Sequence, residues 1–260
     1  MNIDRQFEEF MMSKNYSTST IQSYSSCLKS LISNYGVRLS RIPEKELTSY
    51  LSKLSPSSIR QNVGMMKILY RDILNQKNKS FKFKYPRKEK RLPQPIDKTH
   101  LLFKINSVKN LKHKAIMSVA YSVGLRVSEV INLKITDIDS KRMMIRIEQA
   151  KGKKDAFLPL TEKVLLLLRE YYLVYKPKQY LFNGQNSLKY SATSCNKIIK
   201  RYVGDQYHFH QLRHSTATHL HESGVSLLNI QNLLRHESPK STEIYAKVSN
   251  LHLKSLPLGI

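Results

Sequence analysis

Acidic residues are scarce in this chain. Its 260 residues hold 19 Asp and Glu against 44 Lys and Arg, a formal net charge of +25. A surplus that large strains a compact fold by self-repulsion, and the usual reason to carry it is a polyanionic partner. Nucleic acid is the first candidate and an anionic membrane surface the second. Cysteine is nearly absent. Cys27 and Cys195 form no CxxC pair and no disulfide framework, which fits a reducing cytosol. Long apolar runs are missing: the longest aliphatic stretch, VLLLL at 164–168, falls far short of a membrane span. The opening MNIDRQFEEF is charged and lacks an apolar h-region, so no signal peptide is expected. An RNP-like aromatic motif and a Gly-x-x-Gly loop are also absent, which argues against an RNA-binding module.

What is present is helical periodicity. Ile3, Phe7, Phe10 and Met11 share one face. Ile21, Tyr24, Leu28, Leu31, Ile32 and Tyr35 share another, after the cap-rich Ser17-Thr18-Ser19-Thr20. Leu47, Tyr50, Leu51 and Leu54 predict a third helix, and Ile59, Val63, Met66, Tyr70 and Ile73 a fourth, with Ser55 as N-cap and Pro56 at the first helical position. Steps of three and four mark helices buried on one side. A small helical bundle over residues 1–80 follows.

The texture then changes. Residues 77–91, KNKSFKFKYPRKEKR, carry eight basic residues and one acid, with Pro86, Pro93 and Pro95 as punctuation. A basic linker over 81–97 is expected. Phe81, Phe83 and Tyr85 interleave with lysines there, which suits a segment lying along a phosphate backbone. A second domain, 98–260, begins with a helix that stops near Gly124 and a shorter one, SEVINLKI. The segments 143–149 and 155–160 are β-like around the turn AKGKK, so a hairpin is expected. Helices follow at 162–175, 191–203, 211–222, 226–235 and near 241–248. Gly224 is a plausible terminator and Ser226 a plausible N-cap.

HFHQLRHSTATHL, residues 208–220, gathers the densest chemistry. His210 and His214, at i and i+4, can place two imidazoles on one zinc ion. Against zinc, Arg213 lies on the same face and would repel a dication, and no third ligand is obvious. His210 and Arg213 point the same way, and their N–H donors suit an anionic tetrahedral group such as phosphate. Taken singly, the other candidates have bland readings. Tyr245 is one of 15 tyrosines. Arg126 has Glu129 at i+3 as an ordinary ion-pair mate, Lys151 sits in a lysine-rich turn, and His236 is as well explained as a cap.

Their order and spacing carry more. GLRVSE around Arg126, AKGKKDAFLPL around Lys151, HQLRHSTATHL around His210 and Arg213, and LLRHES followed by IYAKV around His236 and Tyr245 resemble the tyrosine recombinase, or phage integrase, family, closest to its Xer-like branch. The resemblance is strong at these four stretches and generic over residues 1–90. It implies a mainly α fold with a small β-hairpin or sheet: a helical core-binding bundle plus a tyrosine-recombinase catalytic domain. Two departures stand out. Arg235 occupies a position where Xer-like members usually carry glycine, adding bulk and charge near the site. Thr216 stands where phenylalanine is common.

The resemblance implies strand breakage and rejoining without cofactor or metal. Tyr245 would attack the scissile phosphate and expel the 5′ oxygen, leaving a 3′-phosphotyrosyl link. Arg126 and Arg213 would clamp the non-bridging oxygens, and Lys151 would protonate the departing oxygen. His210 is the better candidate for base and His236 for donor, a division the sequence leaves open. Glu129 would orient Arg126, and His214 would support the site, with His219 and His221 structural or on the surface. Lys82, Lys84, Arg87, Lys88, Lys90, Arg91, Lys153 and Lys154 would contact DNA. The implied partner is double-stranded DNA with inverted-repeat core sites, closed in a C-shaped clamp. A homotetramer would form on two sites, alone or with a paralogous recombinase, exchanging strands through a four-way junction. Leu251, Leu253, Leu256, Leu258 and Ile260 would let the tail dock on a neighbouring protomer. The location implied is cytoplasmic and nucleoid-associated. The absence of an added arm-binding domain points to the simple Xer-like mode. A type IB topoisomerase shares the chemistry and is the alternative enzyme, and a non-catalytic DNA-binding regulator on the same fold is the alternative of another class.

Overall fold

A computed structural model describes residues 3–81, 83–86, 92–150, 154–236 and 238–253. The chain divides into two compact units, Met1–Lys90 and Arg91–Ile260. Among the described residues no helix is long and apolar enough to cross a membrane.

The first unit is helical. It comprises α1 (Ile3–Ser13), α2 (Thr18–Tyr35), α3 (Glu44–Ser52), α4 (Pro56–Ile68) and the short α5 (Lys77–Phe81). A π-helical turn, Leu69–Ile73, continues α4. The start signals work as their chemistry requires: Ser17 Oγ accepts from Thr20 N at 3.2 Å, and Ser55 Oγ from Ser58 N at 3.4 Å, with Pro56 in the first turn. The predicted faces meet in a core of Phe7, Met11, Leu28, Leu31, Leu47, Val63 and Met66. Gly64 inside α4 lets the Tyr24 ring lie close: a Cβ there would stand 2.3 Å from its hydroxyl oxygen, and the ring would have to shift. The structure corrects one expectation. Phe83 is not free to lie along a phosphate backbone: it is buried against Tyr70, with ring centroids 5.8 Å apart. Tyr85 remains exposed, and Lys67 Nζ sits 4.6 Å from its ring centre. Burying an aromatic ring outweighs leaving it in a basic run, so residues 83–86 pack with the bundle.

The second unit begins with α6 (Lys98–Ser107), whose N-cap Asp97 accepts from His100 N at 2.7 Å. Then come α7 (Leu111–Val123), α8 (Val127–Asn132), β1 (Ile138–Asp139), β2 (Met144–Ala150) and β3 (Lys154–Pro159). Last are α9 (Glu162–Tyr175), α10 (Ala192–Tyr202), α11 (His210–Glu222), α12 (Leu227–Leu234) and α13 (Lys240–Leu253). The strands form one antiparallel sheet in the order β1-β2-β3, with Ile145 opposite both Ile138 and Leu158. The predicted hairpin is therefore the larger part of a three-stranded sheet. Ser226 caps α12, accepting from Asn229 N at 3.3 Å.

Two helices are buried nearly all round. In α7 they are small and aliphatic positions: Ala115, Ile116, Val119 and Ala120. In α11 the buried positions are largely polar, from Gln211 to His219. Such a helix is stable only if its polar groups are paired. Most are. Ser215 Oγ donates to Gln211 O at 2.8 Å and accepts from Ile96 N at 2.9 Å. Thr216 Oγ1 donates to Tyr121 O at 2.6 Å. His219 Nε2 lies 3.0 Å from Ile96 O, which can only accept, so Nδ1 accepts from the Tyr121 hydroxyl at 2.8 Å. His219 is structural, as expected.

Candidate active site

The N-terminal turn of α11 carries His210, Arg213 and His214, and the surrounding elements bring the remaining described candidates to it. Gly124 ends α7 in a left-handed conformation, φ 65°, and turns the chain so that Arg126 starts α8. Glu129 caps that start: its Oε2 accepts from Arg126 N at 2.8 Å while its Oε1 accepts from Arg126 Nη1 at 2.8 Å. One carboxylate thus satisfies the backbone N–H that opens α8 and clamps the guanidinium; arginine has no acceptor for the other half of a capping box.

Arg213 is almost fully buried, 1 % exposed. Its Nη1 donates to Gly124 O at 2.7 Å and its Nη2 to Leu234 O. Burial, with Arg126 next in weight, pushes its pKa down to about 10. It still carries its charge at neutral pH. Glu129 is raised by burial, but the charge of Arg235 and the hydrogen bonds and charge of Arg126 outweigh this and hold it below the usual carboxylate range.

Tyr245, on α13, is also 1 % exposed and sits in a small apolar cluster with Ala217, Ile230 and Leu234. Its Oη is 3.1 Å from His214 Nδ1. The His236 ring stacks on it with centroids 6.3 Å apart, and His236 Nδ1 is 3.0 Å from Thr242 Oγ1 on the same helix. Burial pushes the Tyr245 hydroxyl up to about 12, with Arg213 and Arg126 pulling the other way. His214 is driven down to about 4 by burial, His210 and Arg213. The His210 and His214 rings meet edge to face at 4.7 Å. His210 is exposed; partial burial of its ring and the neighbouring Arg213 lower its pKa. Among the described residues no group of three or more His, Cys, Asp or Glu could hold a metal ion.

Five of the six residues expected to carry chemistry, Arg126, His210, Arg213, His236 and Tyr245, therefore gather around the start of α11, with Glu129 and His214 beside them. Lys151 lies outside the described residues, between β2 and β3. So do Lys82, Arg87, Lys88, Lys90, Arg91 and Lys153, and the tail positions Leu256, Leu258 and Ile260. Lys84 is exposed, and Lys154 opens β3. Sequence reasoning missed a cleft of about 570 Å³ beside Arg126, lined by Asn132, Lys134, Arg146 and Lys189. Its basic residues are scattered along the chain, and only the tertiary fold collects them around one cleft.

The phage integrase family model matches residues 96–252, and the N-terminal SAM-like domain of phage integrases matches residues 4–80. The chain belongs to the phage integrase family. It is thus one of the tyrosine recombinases, which are DNA strand-exchange enzymes. It is 29 % identical to a tyrosine recombinase of Thermosipho africanus, over 91 % of this chain and 91 % of that one. It is 28 % identical to the tyrosine recombinase XerC of Staphylococcus epidermidis, over 100 % of this chain and 93 % of the relative. The fold matches XerH bound to its difH substrate at a TM-score of 0.72, with 21 % identity over 96 % of this chain and 83 % of that chain. It matches a lambda integrase tetramer bound to a Holliday junction at 0.75, with 18 % identity over 93 % and 75 %.

Two predictions follow from the site's construction. A Cβ on Gly124 would stand 2.5 Å from Leu234 Cδ2, besides facing the positive φ. Gly124→Ala is expected to cost about 2 kcal/mol and to lower the thermal midpoint by about 4–8 °C, as calorimetry would show; an unchanged midpoint would refute the contact. The second concerns pH. The native state excludes a proton from His214 that the unfolded chain binds below its ordinary pKa of about 6.5. Its contribution is therefore complete above that pH and is lost as pH falls toward about 4. The midpoint should decline over that interval, and His214→Gln should flatten the decline. An equally steep decline in the variant would assign it to other groups.

Proposed function

We propose that this protein is a site-specific recombinase in which Tyr245 is the nucleophile and Arg126, Lys151, His210, Arg213 and His236 assist it. The observation that carries this reading is the setting of Tyr245: a buried hydroxyl 3.1 Å from an imidazole, within the field of two arginines. A hydroxyl raised to about 12 keeps its proton in the free protein. When a phosphodiester enters, Tyr245 Oη forms a bond to phosphorus and the bond to the 5′ oxygen breaks. The phenolic proton leaves through His214, the imidazole in contact with Oη, and is taken up by His210, whose ring meets that of His214 and is open to solvent. Lys151 gives a proton to the departing oxygen as general acid. Charge growing on the non-bridging oxygens meets Arg126, His210 and His236, with Arg213 beneath them; fixed donors of this kind are usually the largest catalytic contribution. The phosphotyrosyl link keeps the bond energy for rejoining.

Phosphates next to the scissile one would meet Lys134, Arg146 and Lys189 in the cleft, where Glu148 and Asp137 already share the charge of the first two. By analogy with the lambda integrase tetramer on a Holliday junction, the assembly is four protomers on two inverted-repeat core sites. Whether a paralogous recombinase shares that tetramer, and whether the protein is nucleoid-associated, belong to the same proposal.

The test uses a pool of nicked duplexes randomised over the core, incubated with the full chain in EDTA and resolved on a denaturing gel. A covalent protein–DNA band is expected. Its absence across the pool would overturn the reading. Retention of the recovered duplex should fall steeply between 50 and 200 mM salt, by about 10³-fold if six or more phosphates are contacted; a flat salt response would put the charge surplus elsewhere.

A further inference from the structure

The residue before His236 has a poor fit to its own position. Arg235 closes α12 in the left-handed conformation, φ 55° and ψ 48°, where a side chain is strained and glycine is the usual solution. Its Nε is buried without a hydrogen-bond partner. Neither local propensity nor solvation therefore favours arginine here. What arginine provides is a second cation for Glu129: Arg235 Nη2 donates to Glu129 Oε2 at 2.7 Å, with both side chains about nine-tenths buried. Its Nη1 donates to Leu233 O at 3.3 Å.

These bonds close a ring. Glu129 holds Arg126 by its backbone and its guanidinium. Arg235 joins Glu129 to the Leu233 carbonyl at the end of α12. The next carbonyl, that of Leu234, accepts from Arg213, and Arg213 reaches back to Gly124, two residues before Arg126. The carbonyls at a helix end lack partners within the helix and favour cations, so two arginines at this end are well placed. The charges matter as well. Glu129 paired with Arg126 alone would leave a neutral couple facing the phosphate. With Arg235 the same carboxylate serves two guanidinium groups, and the trio keeps one positive charge.

We infer that Arg235 is a positioning residue for strand transfer: acting through Glu129, it fixes Arg126 relative to Arg213 and His236 and preserves the positive field of Arg126. This rests on the proposed assignment of Arg126 to the scissile phosphate. It gives a charged function to a position whose backbone alone asks for glycine.

The experiment takes as probe the nicked duplex that the wild-type chain itself recovers covalently from the randomised pool. Arg235→Gly relieves the backbone strain while removing the ion pair. It should form the covalent complex about 10- to 100-fold more slowly, with DNA retention within about twofold of wild type and an intact melting transition. Arg235→Lys, which keeps a cation near Glu129, should recover part of the rate. In a Glu129→Gln background the glycine substitution should add no more than about twofold, because its route of action is gone. A wild-type rate in Arg235→Gly would overturn the inference. So would an equal loss in the Glu129→Gln background, or a loss of DNA retention matching the loss of rate. If the wild-type chain recovers no duplex, the strand-transfer reading itself fails, a result distinct from any of these.

Discussion

Tyr245→Phe is expected to give no covalent protein–DNA band, a loss of more than about 10⁴-fold, while binding the same duplex as wild type does. The change removes one oxygen and leaves the ring. The ring's packing against Ala217, Ile230 and Leu234 survives, so the helix that carries it stays docked. What is lost is the hydroxyl proposed to attack phosphorus, with its contact to His214 Nδ1. The cost to stability is that of one buried hydrogen bond, about 1 kcal/mol. A gel of the two proteins on one duplex separates the roles, because retention reports binding and the shifted band reports chemistry. A band of undiminished strength in the variant would move the nucleophile to another of the chain's 15 tyrosines and dismantle the proposed site.

Arg213→Ala should fail in two ways at once. Strand transfer should fall by about 10²- to 10³-fold, the usual consequence of removing a fixed donor from charge developing in a transition state. The fold should suffer as well, by about 3 kcal/mol. Arg213 is one of the largest fully buried side chains, and it holds the carbonyls of Gly124 and Leu234. Truncation leaves both acceptors unpaired beside a cavity. Arg213→Lys would keep the charge but lack the planar fork that serves two acceptors at once. It is expected to melt between wild type and the alanine variant, with transfer still impaired. A wild-type melting midpoint for Arg213→Ala would show that the buried arginine holds nothing together.

The long helices were legible because their apolar residues repeat at steps of three and four and their starts carry Ser, Asp or Asn caps. The weaker signals failed for physical reasons. α6 buries only Leu101 and Ile105, too few positions for a periodic face. β1 has only two residues and exists because Ile138 and Asp139 pair with β2, a tertiary fact. Phe83 lies in a run of lysines whose charge masks it, yet the first core needed one more ring. The last helix runs past 248 to Leu253, since nothing in that stretch breaks it. The candidate site was legible as an ordered set of residues, and Glu129 as the mate of Arg126. The second hold on Glu129 was not. Arg235 is far from Glu129 in sequence, and its charge looked like an intrusion until the end of α12 placed it at 2.7 Å. Which imidazole touches the tyrosine was likewise a matter of packing: it is His214 and not His210.

The cationic floor and Tyr245 rest mainly on different cores. Leu212 and Phe209, on either side of the first catalytic turn, belong to the large core of the second unit. Tyr245 belongs to a satellite of four buried side chains. The floor is an anvil set largely into the body of the domain. The hammer is carried by α13, which lies along α11 and against α12. Leu234 joins the two: its side chain packs in the cluster of Tyr245 and its carbonyl holds Arg213, so a shift in the hammer's seat is also a shift at the anvil's edge.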